Sequence, residues 1–249
     1  MNSQILHAPS GLVELDAALK GGFIKPSNLL MIGAPLCEKR ELGMYILSEG
    51  LQREEAAIYI STSQTAEEVS LHWREYGLRT NWEQENRTRF VDCYSRMLGA
   101  NSPDTESIRR IPSILDYTKL SVTVNEMCSG FVLKNTGVRL MFDSLSSFLI
   151  YSSLQTVMRF LHVFMGQLRK QNVLAFFVLE EGAHDEVTAN QLKTFSNGAI
   201  RVSENERTFR LEGFSGYANT LIPFELTAAK APSVLSSDSR LSKSGEHYE

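Results

Sequence analysis

The sequence is poor in cysteine, and its cysteines do not form a recognised pattern. The three of them, Cys37, Cys93 and Cys128, are an odd set without a C-x-x-C pair. Such a set argues against a disulfide framework and against a zinc site. We therefore expect reduced thiols, a reducing compartment and no metal site.

Long hydrophobic runs and an excess of positive charge are also missing. No stretch reaches the ~18 apolar residues that a membrane span needs, and the first residues, MNSQILHAPSG, lack the basic and apolar regions of a signal peptide. We expect a cytoplasmic protein without a membrane partner. The formal net charge of -4 gives no overall positive field, so nucleic acid is not expected as a principal partner.

The apolar residues fall into short runs that alternate with longer amphipathic segments. This pattern predicts an α/β fold in which buried strands form a mainly parallel sheet and helices flank it. Strands are predicted at residues 29–32, 56–60, 89–92, 138–142, 173–179, 198–202 and 209–212. Helices are predicted at residues 38–51, 65–76, 113–130 and 156–171. The last two strands predict a C-terminal antiparallel hairpin, with its turn at Glu204, Asn205 and Glu206.

The chain is predicted to divide into one domain and a tail. The sequence has no internal repeat, so residues 1–231 are predicted to form one domain, whereas residues 232–249 are rich in Ser and charge and predict a disordered polar tail. Thr65 with Glu68 is the capping-box pattern of a helix N-terminus. The polar stretch from Ser95 to Pro112 predicts a surface loop.

A strand, a glycine turn and a helix follow one another in the order of a phosphate-binding loop. In such a loop, backbone N–H groups and the helix N-terminus hold phosphate, while a Lys and a Ser or Thr serve the terminal phosphate and magnesium. Against the pattern G-x-x-x-x-G-K-[ST], the chain keeps the first glycine and the lysine. The residues are Gly33, Ala34, Pro35, Leu36, Cys37, Glu38, Lys39 and Arg40.

Two substitutions weaken this loop. Glu38 replaces the second glycine, where a side chain obstructs the approach of phosphate and a carboxylate repels it. Arg40 replaces the hydroxyl and cannot coordinate magnesium, so magnesium is not expected. Lys39 and the helix N-terminus remain, which leaves weak binding of ATP or ADP open. The pattern alone also fits an ordinary solvated lysine in a first helical turn.

The residues before this loop are similar to the entry segment of a known family. They are Ser10-Gly11-Leu12-Val13-Glu14-Leu15-Asp16, then Leu19, Gly21, Gly22, Phe23, Ile24 and Ser27. This stretch resembles, without a gap, the T-G-x-x-x-L-D run and the glycines that follow it in KaiC-like and RadA-like domains of the RecA superfamily. The resemblance spans about residues 10–228 and is strongest toward archaeal KaiC-like proteins of the signal-transduction type. It implies a RecA-like P-loop NTPase fold.

The resemblance also locates the catalytic base and the magnesium-organising carboxylate. The family has a pair of glutamates after the second strand, and one of them activates water; here the positions hold Ser63 and Gln64, which cannot act as a base. The run VRLMFDS is similar to the family's Walker B strand, so Asp143 and Ser144 match its D-S pair. An aspartate that caps the next helix or turn is the alternative interpretation of Asp143.

Family resemblance implies assembly into rings or dimers. In KaiC-type rings, a Lys and an Arg of a K-L-R-G segment face the neighbour's terminal phosphate. The matching segment keeps a positive charge at Arg210 but reverses the second one at Glu212. Activation of a neighbouring subunit is therefore expected to be impaired. We expect a homo- or hetero-oligomer with a protein partner, either a related ATPase or a signalling protein.

Two other constellations have an ordinary explanation beside a functional one. His184 and Asp185, together with Glu180 and Glu181, fit either a metal site or, more simply, a charged loop after a buried strand. Trp73, Tyr76 and Trp82 fit either a base-stacking surface or packing, and the helical spacing of Trp73 and Tyr76 favours packing.

Three functions are compatible with these residues. The first is a regulatory or scaffolding pseudo-ATPase, favoured because Glu38, Arg40, Ser63 and Gln64 affect phosphate binding, metal binding and the base together. The second is an unorthodox ATPase in which Arg40 replaces the charge of the metal, and Glu38 or Asp143 serves as base. The third is a recombination accessory protein that binds DNA, which the acidic balance opposes.

Overall fold

The computed structural model describes residues 6–75, 86–203, 207–214 and 221–226. The strands in these ranges are β1 (Leu6–Ala8), β2 (Phe23–Lys25), β3 (Ser27–Gly33), β4 (Ala56–Ser61), β5 (Thr88–Asp92), β6 (Ile108–Arg110), β7 (Val138–Asp143), β8 (Leu174–Glu180), β9 (Gly198–Val202), β10 (Thr208–Glu212) and β11 (Leu221–Pro223). The helices are α1 (Val13–Ala18), α2 (Lys39–Gln52), α3 (Ala66–Glu75), α4 (Tyr117–Val132), α5 (Leu145–Tyr151), α6 (Leu154–Lys170) and α7 (Glu186–Lys193).

A nine-stranded sheet with the order β11-β10-β9-β3-β8-β7-β4-β5-β6 forms the centre of the fold. The strands from β9 to β6 pair in parallel, whereas β10 and β11 add to β9 in antiparallel fashion. The apolar runs of β3, β4, β7 and β8 are buried because helices cover both faces of the sheet. Strands β1 and β2 form a separate small sheet. The predicted α/β architecture with its C-terminal hairpin is confirmed.

Two local predictions are confirmed by side-chain contacts. At the start of α3, the Glu68 carboxylate accepts a hydrogen bond from the Thr65 backbone N–H at 2.8 Å, and the Glu68 N–H donates to the Thr65 hydroxyl at 3.2 Å. Trp73 is fully buried, and its Nε1 donates to the Ser48 hydroxyl at 2.8 Å, so packing is its role. Tyr76, Trp82, the hairpin turn at 204–206 and the tail at 232–249 lie outside the described residues.

Two element predictions need correction, and several short elements were not predicted. The predicted loop from Ser95 to Pro112 contains the edge strand β6, which its two arginines concealed; Arg110 is buried there and pairs with Glu67. The helix predicted from residue 113 begins at Tyr117, because Asp116 accepts a hydrogen bond from the Lys119 N–H at 2.9 Å and caps it. The short elements β1, β2, α1, α5, α7 and β11 gave no pattern strong enough to predict.

A buried charge cluster anchors the entry segment to the sheet. Arg139 of β7 is fully buried; its Nε lies 2.6 Å from the Glu55 carboxylate, and its Nη1 donates to the carbonyls of Pro9 at 2.7 Å and Ile46 at 2.9 Å. Lys25 pairs with the same carboxylate at 2.8 Å. Each charge in this cluster therefore has a partner of opposite sign, as the low-dielectric interior requires.

No helix in the described ranges is long and apolar enough to cross a membrane.

This cluster makes stability depend on pH. Burial alone would raise the pKa of Glu55, but Arg139 and Lys25 hold it below the ordinary value of 4.5. The stabilisation is therefore complete above the ordinary pKa and is lost as pH falls toward the lower pKa of the folded protein. We expect the free energy of unfolding of Glu55→Gln to depend less steeply on pH than that of the wild type between about pH 5 and pH 3. Urea unfolding at a series of pH values measures both slopes.

The neighbouring residue provides the control for this experiment. Glu54 is exposed, and Glu54→Gln removes the same charge without touching the cluster. Its slope is expected to match that of the wild type. Equal slopes for wild type and Glu55→Gln would contradict the assignment.

Candidate functional site

The phosphate-loop residues connect β3 to α2 at the carboxyl edge of the parallel sheet, where ligands of α/β folds bind. Gly33 ends β3 in a place with no room for a side chain, because a Cβ there would lie 2.4 Å from the Cys37 sulfur. Leu36 at the tip is fully exposed and has a φ of 69°. The loop therefore keeps the strand, turn and helix that the sequence predicts.

Glu38 immediately precedes α2 and adopts a left-handed conformation with φ 35°. This conformation costs a non-glycine residue roughly 1–2 kcal/mol. The Glu38 carboxylate pairs with Arg207, next to β10, at 2.8 Å. Glu38, which replaces the second glycine of the loop pattern, thus forms an ion pair with a residue beside the C-terminal hairpin.

Lys39 is buried rather than solvated. Its side chain is 4% exposed, and its Nζ lies 2.6 Å from the Glu180 carboxylate at the end of β8. The same Nζ donates to the Ala34 carbonyl at 2.7 Å. The lysine that would serve a terminal phosphate therefore points into the protein, where the carboxylate of Glu180 balances its charge.

Arg40 pairs with the carboxylate that matches the family's Walker B aspartate. Its Nε lies 2.9 Å from Asp143 Oδ1, and its Nη2 lies 3.6 Å from the Glu180 carboxylate. Burial alone would lower the pKa of Arg40, but Asp143 raises it above its ordinary value. The guanidinium thus provides a fixed positive charge beside Asp143.

Asp143 is 1% exposed and does not cap a helix. Its Oδ2 accepts a hydrogen bond from the buried Tyr59 hydroxyl at 2.7 Å, while its Oδ1 faces Arg40. Burial raises the pKa of Asp143, and Arg40 and Tyr59 oppose this rise. The capping interpretation of Asp143 is therefore wrong. Ser144 is the residue that precedes α5, and it has no side-chain cap bond.

Ser63 and Gln64, the positions where the resemblance implies catalytic glutamates, lie in the turn between β4 and α3. Ser63 is exposed, and the Gln64 carbonyl accepts a hydrogen bond from the Ser61 hydroxyl at 2.5 Å. It is Thr62 that reaches the end of β7, where its hydroxyl donates to the Asp143 carbonyl at 2.8 Å and accepts from the Ser144 N–H at 2.7 Å. The site therefore has a hydroxyl, not a carboxylate, between the ends of β4 and β7.

Comparison with known proteins identifies the family. A family model with the description "family of unknown function (DUF7504)" matches residues 26–202. The chain belongs to DUF7504. The match includes the phosphate loop, Asp143 and Glu180 of this DUF7504 protein. No curated protein matches the chain.

Two solved structures share the fold of this DUF7504 chain. A KaiC-like protein from the hyperthermophilic archaeon Pyrococcus horikoshii OT3 has a TM-score of 0.69 and 14% identity, over 90% of this chain and 97% of that one. An uncharacterized protein from Pyrococcus horikoshii in complex with an unknown peptide has a TM-score of 0.62 and 16% identity, over 76% of this chain and 81% of that one. These similarities confirm a KaiC-like, RecA-type fold and establish no activity.

Glu180, which the sequence suggested only as part of an alternative metal site with His184 and Asp185, is the central carboxylate beside the phosphate loop in the DUF7504 structure. It ends β8, the neighbour of β3, and faces both Lys39 and Arg40. A carboxylate at the end of a buried strand is the signal that could have indicated it. Its backbone N–H donates to the Ser146 hydroxyl at 3.0 Å, and His184 Nε2 lies 2.9 Å from the same hydroxyl.

The remaining sequence candidates in the DUF7504 chain have structural partners. Asp185 caps α7 by accepting a hydrogen bond from the Thr188 N–H at 2.6 Å, which agrees with the charged-loop interpretation. Within the described residues, no three His, Cys, Asp or Glu side chains cluster as metal ligands. Glu212 pairs with Arg201 and with Lys193, each at 2.8 Å, so the charge reversal in the late strand is neutralised within the chain.

Proposed function

We propose that this chain is a RecA-fold pseudo-ATPase that regulates or scaffolds a protein partner without hydrolysing nucleotide. The observation that carries the proposal is the charge balance of the phosphate loop. Lys39 is paired with Glu180 at 2.6 Å and Arg40 with Asp143 at 2.9 Å. Two cations and two carboxylates thus neutralise each other at the position where a nucleotide would bring its phosphates.

Magnesium does not fit the residues at this position. Magnesium requires oxygen ligands in near-octahedral geometry. The two carboxylates, Asp143 and Glu180, face guanidinium and ammonium groups, and Arg40 stands where the P-loop pattern has its hydroxyl. To reach Asp143 or Glu180, a metal ion would therefore have to separate that carboxylate from Arg40 or Lys39. The cation would then be left without its counter-charge, which is unfavourable. We propose that the site holds no magnesium and binds ATP or ADP weakly if it binds either.

A protein partner is favoured over a nucleic acid. The net charge of -4 opposes binding to a polyanion. One fold neighbour, the uncharacterized protein from Pyrococcus horikoshii, is in complex with an unknown peptide, which supports a peptide or protein as partner. Exposed apolar side chains follow the carboxyl ends of several strands of the sheet, where a partner would meet them. They are Leu36, Leu98, Leu115, Ile150 and Val187. A related ATPase, a signalling protein or a second copy would all fit this proposal.

An unorthodox ATPase is the second candidate. It is favoured by one observation, the contact of Arg40 with Asp143, because a guanidinium there can replace part of the charge of a metal. Its proposed bases are less suitable. Asp143 is held by Arg40 and Tyr59, and Glu38 by Arg207. The same experiment tests both candidates.

Calorimetric titration with ATP distinguishes the two functions. For the pseudo-ATPase we expect a dissociation constant no tighter than about 1 mM, with or without magnesium, and no release of phosphate. Micromolar binding with phosphate release, in the presence or absence of magnesium, would refute the proposal, provided that Lys39→Gln abolishes it. Lys170→Gln, which removes an exposed lysine in the last turn of α6, is the control that should leave any binding unchanged.

A further inference from the structure

A cavity of about 270 Å³ lies at the β6 edge of the sheet, far along the strand order from the phosphate loop. It is bounded by β5, by β6 with the segment that leads into it, and by α4. Met127 and Phe131 of α4 contribute apolar surface, and Arg89, Arg109 and Lys134 contribute positive charge. Its size suits a small molecule rather than a polymer.

Arg89 is held rigidly at this cavity. Its side chain is 12% exposed, and its Nη1 donates to the carbonyls of Asn86 at 2.9 Å and Thr88 at 3.0 Å. Its guanidinium carbon lies 5.2 Å from the centre of the Phe131 ring. A guanidinium fixed in this way loses little entropy when it binds a ligand.

Arg109 is placed close to Arg89 although both are positive. Its Nη1 donates to the Thr105 carbonyl at 2.8 Å, which fixes the exposed side chain. Burial lowers the pKa of Arg89, the charge of Glu106 opposes this shift, and the nearby charge of Arg109 adds to it. Such a pair of guanidinium groups is the arrangement that binds the oxygens of phosphate or carboxylate.

The carboxylates at the cavity do not cancel this charge. Glu106 lies 3.4 Å from Arg89 Nη2 and accepts a hydrogen bond from Asn86 Nδ2 at 2.5 Å, but its side chain is 71% exposed, so solvent screens its charge. Glu126 is the other acidic lining residue. Three cations against two carboxylates leave the cavity positive, although the chain as a whole carries a net charge of -4.

We propose that this cavity binds a small organic oxyanion. The phosphate or carboxylate of the ligand contacts Arg89 and Arg109, and its apolar part packs against Met127 beside the Phe131 ring, whose face the Arg89 guanidinium covers. This site is separate from the phosphate loop and does not depend on the function proposed above.

The test uses phenyl phosphate, benzoate, inorganic phosphate and phenol as probes. We expect phenyl phosphate to shift the backbone amide NMR signals of Gly130 and Phe131, and to bind at least tenfold more tightly than inorganic phosphate or phenol. A tighter dissociation constant for phenyl phosphate than for benzoate identifies a phosphate ligand, and the reverse order identifies a carboxylate ligand. Either order supports an oxyanion site.

Variants at exposed positions decide whether the binding is in this cavity. Arg109→Gln is expected to weaken binding at least tenfold, since a charge-assisted hydrogen bond is lost, and Lys134→Gln is expected to weaken it less. Arg159→Gln on the exposed face of α6 is the matched control, with unchanged affinity. The proposal would be overturned if neither phenyl phosphate nor benzoate bound, if phenol bound as tightly as the oxyanions, or if Arg109→Gln kept the wild-type affinity. None of these results bears on the pseudo-ATPase proposal.

Discussion

Exchanging Glu180 for glutamine is expected to raise the affinity of the phosphate loop for pyrophosphate at least tenfold. The wild-type lysine, Lys39, is 4% exposed and has Glu180 as its counter-charge at 2.6 Å. Once that charge is removed, the loop carries one excess buried positive charge, which an anion can neutralise. Calorimetric titration with pyrophosphate in the absence of magnesium measures the difference between variant and wild type.

The same variant should also lose stability, because the lysine is left without its partner. A decrease of about 3 kcal/mol in the free energy of unfolding is expected, and saturating pyrophosphate should restore part of it. Glu181→Gln is the control. Glu181 is the next residue, its side chain is 44% exposed, and it pairs with Arg201, so its loss should change neither quantity appreciably. An unchanged pyrophosphate affinity in Glu180→Gln would show that the charge of Glu180 does not prevent anions from binding at the phosphate loop.

Replacing Arg139 by alanine is expected to lower the free energy of unfolding by about 3–5 kcal/mol, the cost of breaking a buried ion pair from one side. Arg139 is fully buried, and its removal takes the 2.6 Å partner from Glu55 and the donor from the carbonyls of Pro9 and Ile46. It also leaves a cavity in the sheet face. Urea unfolding measures the change.

An ion pair with an exposed arginine, Arg53 with Glu49, provides the comparison for this variant. Arg53 lies 2.6 Å from Glu49, but its side chain is 51% exposed, so Arg53→Ala should cost less than about 1 kcal/mol. If the two alanine variants lost similar stability, the buried cluster would have no special role.

The parts of the fold that were predictable are those with strong periodic signals. The strands β3, β4, β7 and β8 are apolar runs that can only be buried between helices, and Thr65 with Glu68 specifies the start of α3 locally. The strand β6 was not predictable because its arginines resemble a loop. Arg110 is acceptable in a buried strand because it pairs with Glu67 of α3, a helix distant in sequence, and donates to the Pro103 carbonyl.

The candidate site was predictable in position but not in chemistry. The glycine turn located Gly33 and Lys39, and the strand end located Asp143. That Lys39 would be neutralised by Glu180 depends on the placement of β8 between β3 and β7, which no local pattern specifies. An ion pair between residues on strands that are adjacent in the sheet but distant in sequence therefore cannot be predicted from sequence motifs alone.

Arg139 also affects how the chain folds. One side chain in β7 contacts Pro9 before α1, Ile46 within α2 and Glu55 before β4. These segments are distant in sequence from β7, so their contacts form late, and the first third of the chain depends on residues synthesised well after it. We expect a fragment that ends before Val138 to have no independently stable core. Because β8 lies between β3 and β7 in the sheet, we expect the strands from β3 to β8 to unfold as one cooperative unit and not in stages.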